Sequence, residues 1–142
     1  MSRQSGREWS LKAVIRRRSS IAGWGVYAGE RITKNSRIVH YAGEKISHRE
    51  SSSRELRQIA RGQIWCFTVN RRYVRDAEVG GNIARFINHS CKPNCYAHVI
   101  GDVIWIRAAR TIQPGEELTY HYNTRGHAGI RCRCRPGCDT LL

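Results

Sequence analysis

The chain has 142 residues, of which 40% are hydrophobic, and a formal net charge of +14. That length suits one hydrophobic core, and the hydrophobic content excludes a disordered chain. No apolar run could cross a bilayer and no apolar signal segment opens the chain, so we expect a soluble, intracellular protein, cytoplasmic or nuclear, without a membrane partner.

Residues 1–10 predict a disordered lead-in, and the apolar stretch Leu11–Ile15 predicts the first strand. Ile21–Gly29 predicts a glycine-containing turn followed by a short strand. Its glycines do not have the spacing of a dinucleotide-binding loop and no long helix follows, so a Rossmann fold is set aside. Arg37–Tyr41 predicts another strand.

The only convincing helix is predicted from His48 to Arg61, where apolar and charged residues recur at helical spacing and Gly62 ends the pattern. Ile64–Val69 and Tyr73–Val74 predict a pair of strands around a polar tip. These two strands are therefore expected to pair as a hairpin.

Ala97–Ile106 predicts a second hairpin, which turns at Gly101-Asp102. A Pro114-Gly115 turn signal precedes Glu117–Tyr122, which predicts an alternating strand. Many short strands and one short helix, without repeats, indicate a mainly β fold.

Arginine supplies 21 of the 25 basic residues. Guanidinium groups bind phosphates and carboxylates as a fork, so acidic proteins and nucleic acid are candidate partners. Alternatively, exposed arginines such as Arg16, Arg17 and Arg18 form only a solvated surface.

The stretch Asn88–Cys95 places two thiols, an imidazole, a hydroxyl and two carboxamides beside a proline. So many polar groups after an apolar run would be costly to bury without partners. A binding or catalytic site is the economical explanation. A cysteine hydrolase that uses Cys91 and His89 is a weaker reading, because neighbours at i and i+2 rarely form an aligned dyad.

The tail holds Cys132, Cys134 and Cys138 in a Cys-x-Cys-x3-Cys pattern. In an extended segment the side chains of the first two cysteines project to the same side. The Pro-Gly turn that follows can bring the third cysteine back beside them. A closed zinc site needs four ligands, so Cys91 or Cys95 would supply the last one. The flanking arginines would favour thiolates.

Five ordered motifs resemble the SET-domain protein lysine methyltransferases with a short post-SET zinc element. They are Gly23-Trp24-Gly25, Tyr41–Glu44, Arg85–Cys95, Gly115–Tyr122 and the terminal cysteines. The resemblance implies a SET domain at residues 11–123 and a zinc-binding tail at 124–142. It also implies small curved β-sheets and a C-terminal pseudoknot, an exception to the rule against threading.

By the same resemblance, S-adenosylmethionine and one structural zinc ion are expected cofactors. The cofactor-binding residues would be Gly23, Trp24, Gly25, Trp65, Arg85, Asn88, His89, Tyr122 and Arg133. Cys91 would complete the zinc site with Cys132, Cys134 and Cys138, which leaves Cys66 and Cys95 as core thiols. Trp65 and Tyr73 could instead be ordinary core aromatics.

The implied activity is methyl transfer to a lysine amine of a protein, either a histone or an acidic protein. Tyr122 would be the catalytic tyrosine, and Tyr120 would narrow the space around the amine, which implies mono- or dimethyl-lysine. His121 stands where the family usually has aspartate. The alternative function is a zinc-stabilised, catalytically degenerate module that binds nucleic acid through its basic surface.

Overall fold

The computed structural model describes residues 11–142. In chain order the elements are β1 (Val14–Arg18), β2 (Trp24–Ala28), β3 (Arg37–His40), β4 (Glu44–Ser47), α1 (His48–Ala60), β5 (Cys66–Thr68), β6 (Tyr73–Asp76), a 3-10 helix (Ile83–Phe86), β7 (Asn88–His89), β8 (Cys95–Ile100), β9 (Val103–Ala108) and β10 (Thr119–Tyr120). This mainly β arrangement, with one α-helix in the described range, confirms the predicted fold class. The predicted lead-in, residues 1–10, lies outside the described residues.

The strands form four small sheets. β1 pairs with β2, and β3, β9 and β8 form a three-stranded sheet in that order. β4, β6 and β5 form a second three-stranded sheet. Both predicted hairpins are confirmed, because β5 and β6 pair antiparallel, as do β8 and β9.

The fourth sheet joins distant parts of the chain. β7 pairs in parallel with β10, with Asn88 opposite Thr119 and His89 opposite Tyr120. This pairing carries the segment after Tyr120 past the Asn88–Cys95 stretch, which is the contact that the predicted pseudoknot requires.

Several predicted boundaries are wrong. The first strand begins at Val14, three residues later than expected, because Leu11 and Lys12 instead donate their amides to the Ile38 carbonyl. Strand β4 was not predicted. The predicted alternating strand at 117–122 shortens to Thr119–Tyr120, and Leu118, Thr119 and Tyr120 are buried in succession because protein covers both faces.

The main core lies between the sheets and contains mostly isoleucine and valine side chains. Its largest fully buried members are Ile32, Ile38, Ile87, Ile104, Ile106, Ile112 and Leu118. Tyr73 packs against this core, in agreement with the core-aromatic reading. A smaller cluster forms around Cys132, Cys138 and Leu142, so the tail has a packed centre of its own.

Helix α1 begins at Ser47, whose hydroxyl accepts a hydrogen bond from the Glu50 amide. It ends before Gly62, which has a φ of 78° that glycine adopts without strain. Among residues 11–142, no helix has the length and apolarity needed to span a membrane.

Candidate functional site

Side chains from distant parts of the sequence line a cleft of about 560 Å³. Eight of the nine residues that the resemblance assigns to the cofactor are among them: Gly23, Trp24, Trp65, Arg85, Asn88, His89, Tyr122 and Arg133. The fold therefore collects most of the predicted cofactor residues into one cavity.

The ninth residue, Gly25, does not line the cleft. A Cβ at this position would collide with the Glu117 carboxylate. That carboxylate accepts hydrogen bonds from the Ser19 hydroxyl at 2.8 Å and from Asn88 Nδ2 at 2.9 Å. Asn88 Nδ2 also donates to the Trp24 carbonyl at 3.0 Å. Gly25 is thus needed for the approach of Glu117, which ties the turn before β2 to Asn88.

His89 holds the segment that carries Tyr122. Its Nδ1 accepts a hydrogen bond from the Tyr122 amide at 3.0 Å, across 33 residues of sequence. Burial, reinforced by His121, lowers the pKa of His89 to about 4. The imidazole is therefore neutral at physiological pH and acts here as a hydrogen-bond acceptor.

The Tyr122 hydroxyl points at the main chain of the neighbouring segment. It donates to the Ile87 carbonyl at 2.5 Å. Burial raises the pKa of Tyr122 above its ordinary value, and the nearby Glu117 carboxylate adds to the effect. Tyr122 therefore stays protonated and can act as a donor.

A second cleft, of about 640 Å³, lies on the other side of Tyr122. Aromatic rings of Tyr41, Phe67, Tyr120 and Tyr122 follow one another along it, with ring centroids 4.9 to 5.8 Å apart. Burial also raises the pKa values of Tyr41 and Tyr120. This cleft thus has a wall of neutral, mostly apolar rings.

Tyr122 and Ile64 line both clefts. The charges of the two cavities differ sharply. Four arginines and no carboxylate line the first: Arg61, Arg85, Arg131 and Arg133. The second contains neither lysine nor arginine, and its one carboxylate belongs to Glu55. The first cavity therefore presents cationic side chains to a ligand, and the second presents mainly neutral side chains and one carboxylate.

The four predicted zinc-binding sulfurs, of Cys91, Cys132, Cys134 and Cys138, all lie within 4.8 Å of one another. Neighbouring sulfurs are 3.8 to 4.0 Å apart. Tetrahedral zinc with bonds of about 2.3 Å needs sulfurs about 3.8 Å apart, so the cluster fits zinc. Of the two candidates for the fourth ligand, the structure selects Cys91.

The thiols of this cluster differ in acidity. Hydrogen bonding by Thr140 lowers the pKa of Cys138 to about 6, whereas burial raises that of Cys132 to about 12. Arg135 Nη1 lies 3.6 Å from the sulfurs of both Cys134 and Cys138. A cation beside two sulfurs stabilises thiolates, the form that binds metal.

The two remaining cysteines behave differently from each other. Cys95 is 1% exposed, which confirms it as a core thiol. Cys66 is only half-buried, so its prediction as a core thiol is wrong, although both cysteines line the second cleft. Its position at the edge of the small sheet β4-β6-β5 leaves one side uncovered.

Two site residues were missed from the sequence. Glu117 lies inside a recognised motif, but its partner Ser19 is 98 residues away. Gln63 lines the first cleft, and its Oε1 is the one buried side-chain oxygen or nitrogen of the described residues without a hydrogen-bond partner. No sequence signal marks Gln63, because the lack of a hydrogen-bond partner for its Oε1 depends on the residues packed around it in the fold.

Residues 23–123 match the sequence model of the family described as SET domain, and the chain belongs to this family. A histone-lysine N-methyltransferase, H3 lysine-4 specific, of Aspergillus oryzae is 43% identical, and one of Candida albicans is 40% identical. Each alignment covers 92% of this chain, but only 12% and 14% of the respective relatives.

Solved structures agree with the fold. The Chaetomium thermophilum Polycomb Repressive Complex 2 bound to GSK126 has a TM-score of 0.73 at 31% identity. That match covers 80% of this chain and 16% of the other. A structure of the same complex with H3K27me3 and H3K27M has a TM-score of 0.72 over 79% of this chain and 14% of the other.

Proposed function

We propose that this chain transfers a methyl group from S-adenosylmethionine to a lysine amine of a protein substrate. The observation that carries the proposal is the meeting of two clefts at Tyr122, one lined by most of the predicted cofactor residues and the other walled by aromatic rings. Membership of the SET-domain family and the names of the relatives support it.

The first cleft suits the cofactor. Its arginines can neutralise a carboxylate, and the Trp65 ring, on which Arg85 stacks, offers a surface for an aromatic base. When bound there, S-adenosylmethionine supplies an electrophilic methyl group.

The second cleft suits the lysine. An ordinary lysine amine, of pKa about 10.4, must lose its proton before it can attack, which costs about 4.6 kcal/mol at pH 7. The rings of Tyr41, Phe67 and Tyr120 offer no charge and remove water, which lowers that cost. Tyr122 then helps to align the amine at the junction, which is the main catalytic service in a direct displacement.

The charge contrast also bears on the substrate. A net charge of +14 would repel a basic peptide at long range, but salt screens this beyond about 8 to 10 Å. Near the junction the peptide meets Glu55 and no lysine or arginine. We therefore favour a basic, histone-like peptide and a chromatin location over an acidic protein. Tyr120, 4.9 Å from Tyr122 between ring centroids, would restrict the product to mono- or dimethyl-lysine.

The cysteine cluster, in this proposal, holds one structural zinc ion. Cys91 would link the ion to the Asn88–Cys95 stretch, while the other three ligands fix the tail against the first cleft. This assignment leaves no free thiol at Cys91, so the hydrolase reading loses its nucleophile. The degenerate nucleic-acid module is not favoured either, because the relatives are named as enzymes.

The decisive test is transfer of labelled methyl to a library of lysine peptides, with wild-type protein and Tyr122→Phe. We expect at least about a hundredfold loss of kcat in the variant with an unchanged cofactor Kd, since an interaction made mainly in the transition state is removed. Equal kcat in both proteins would reject the role of Tyr122. No transfer by wild type to any peptide, despite cofactor binding, would reject the proposed function.

A further inference from the structure

Arginine and aromatic side chains alternate from β1 and β2 across the 3-10 helix to Trp65, the residue before β5. The order is Arg18, Trp24, Arg16, Phe86, Arg85 and Trp65, with each guanidinium carbon 4.4 to 5.0 Å from the next ring centroid. Stacking of this kind fixes the plane of a guanidinium group against the ring. The N–H groups at the edge of that plane remain able to donate hydrogen bonds. These six residues are called the arginine ladder below.

The outer end of the ladder is exposed and strongly basic. Arg16, Arg17 and Arg18 are all exposed, and Arg17 lies 5.2 Å from the Tyr27 ring. None of the six ion pairs found among residues 11–142 involves these arginines.

Two carboxylates lie beside β1, and both already accept hydrogen bonds from neutral donors. Glu30 accepts the Ala13 amide, and Glu117 accepts the Ser19 hydroxyl. Arg16 and Arg18 are thus positioned by stacking on Trp24, and neither forms an ion pair with a carboxylate of the described residues.

We propose that the β1 end of the arginine ladder binds the phosphate backbone of double-stranded DNA. Guanidinium forks match phosphate oxygens, and Arg16 and Arg18, at positions i and i+2 of one strand, project to the same face and can contact neighbouring phosphates together. A single-stranded nucleic acid fits less well, because such ligands stack their bases on free aromatic rings. Here the Trp24 ring already carries the guanidinium groups of Arg16 and Arg18.

The ladder ends inside the first cleft, at Arg85 and Trp65. A duplex held on β1 would therefore lie next to the proposed catalytic centre. If the proposed function holds, this surface favours a basic peptide that is itself carried on DNA. The DNA proposal does not depend on catalysis, because binding can be measured without cofactor or peptide.

The test is fluorescence anisotropy of a labelled 20-base-pair duplex across a salt series, with wild type, Arg16→Gln/Arg18→Gln and the control Arg49→Gln/Arg57→Gln. The control removes the same charge from exposed positions on α1. At 100 mM salt we expect the ladder variant to bind about tenfold or more weakly. Its log–log salt slope should be smaller by about 1.8, because two phosphate contacts are lost.

A third variant, Arg16→Lys/Arg18→Lys, keeps the charge but loses the stacked guanidinium fork, so it should restore the salt slope but only part of the affinity. Circular dichroism checks that each variant is folded. An equal loss in both glutamine variants would mean that net charge alone drives binding and would overturn the proposal. So would tighter binding of a single strand of the same length, or no duplex binding by wild type at physiological salt.

Discussion

At the scale of single residues, Glu117 has the most contacts to separate parts of the site. Its carboxylate accepts hydrogen bonds from Ser19, Tyr27 and Asn88, and it forms no ion pair with an arginine or lysine of the described residues. Its role is to position rather than to react. Asn88, which lines the first cleft, is held between this carboxylate and the Trp24 carbonyl.

We expect Glu117→Ala to weaken cofactor binding. Leaving buried donors of Asn88 and Ser19 without an acceptor costs roughly 1 to 3 kcal/mol, so the Kd for S-adenosylmethionine should rise about tenfold. Calorimetry measures the Kd, and single-turnover rates at saturating cofactor should change much less. Glu117→Gln, which can still accept from Asn88, is the control and should stay within about threefold of wild type. An unchanged Kd in the alanine variant would contradict the positioning role.

At the scale of elements, α1 is held by polar contacts instead of an apolar face. Its buried residues are Ser51 and Gln58, whereas Leu56 is 74% exposed. Arg54 pairs with the buried Asp76 of β6 at 2.9 Å, and Gln58 donates to the same carboxylate at 2.9 Å. Two helix side chains therefore converge on one buried acid, and further contacts from Arg54 to Glu44 and from Gln58 to Glu78 add to the attachment of the helix to the β4-β6-β5 sheet.

The protonation of Asp76 follows from these contacts. Burial opposes its ionisation, but hydrogen bonds from Arg54, the Glu78 amide and Gln58 outweigh burial and lower the pKa. The ionised form thus stabilises the fold above the unfolded-state pKa of about 3.9, and this stability is lost as pH falls through the lower folded-state pKa.

Asp76→Asn should lower the free energy of unfolding at pH 7 by about 2 kcal/mol, because charge-assisted hydrogen bonds are lost in a buried site. Urea unfolding measures the change. The difference from wild type should shrink as pH falls below about 4, because Asp76 of the unfolded chain then binds a proton first and the folded chain follows only at its lower pKa. Asp102→Asn, in an exposed pair with Lys45, is the control and should have a smaller effect. A pH-independent difference would show that the charge of Asp76 is unimportant.

Local sequence patterns predicted the elements unevenly. The helix and both hairpins were found because their capping residues, periodicity and turn signals lie within a few residues. β4 was missed because Glu44–Ser47 becomes a strand only by pairing with Tyr73–Asp76. The last strand was predicted too long because the segment at 121–122 turns towards the site. There the Tyr122 amide donates to the side chain of His89 instead of to the backbone of the neighbouring strand.

At the scale of the whole molecule, the tail belongs to the site. Leu142 donates its amide to Ile130, and Cys132 donates its amide to Thr140, so the tail folds back on itself around the cysteine cluster. Arg131, Arg133 and Leu142 also line the first cleft. Metal binding and cofactor binding should therefore be coupled.

Cys138→Ser should reduce bound zinc from about one ion per chain to none and should weaken cofactor binding, because a three-ligand site cannot hold the tail against the cleft. Elemental analysis and calorimetry measure the two effects, and a chelator should reproduce both in wild type. Cys66→Ser, outside the cluster, should keep its zinc and its cofactor affinity. Normal cofactor binding by metal-free protein would refute the coupling.

The sequence by itself determined the mainly β class, the hairpins and the residue types of the cofactor cleft and the cysteine cluster. Periodicity, turn signals and ordered motifs can be recognised from residues that are close together in the sequence. Tertiary structure alone decided the unpaired oxygen of Gln63 and the contacts of Glu117, and it placed Cys91 rather than Cys95 beside the tail cysteines, as the resemblance implied. The physical reason is that these features depend on distances between groups far apart in the chain. Hydrogen bonding and burial are set only when packing brings such groups together.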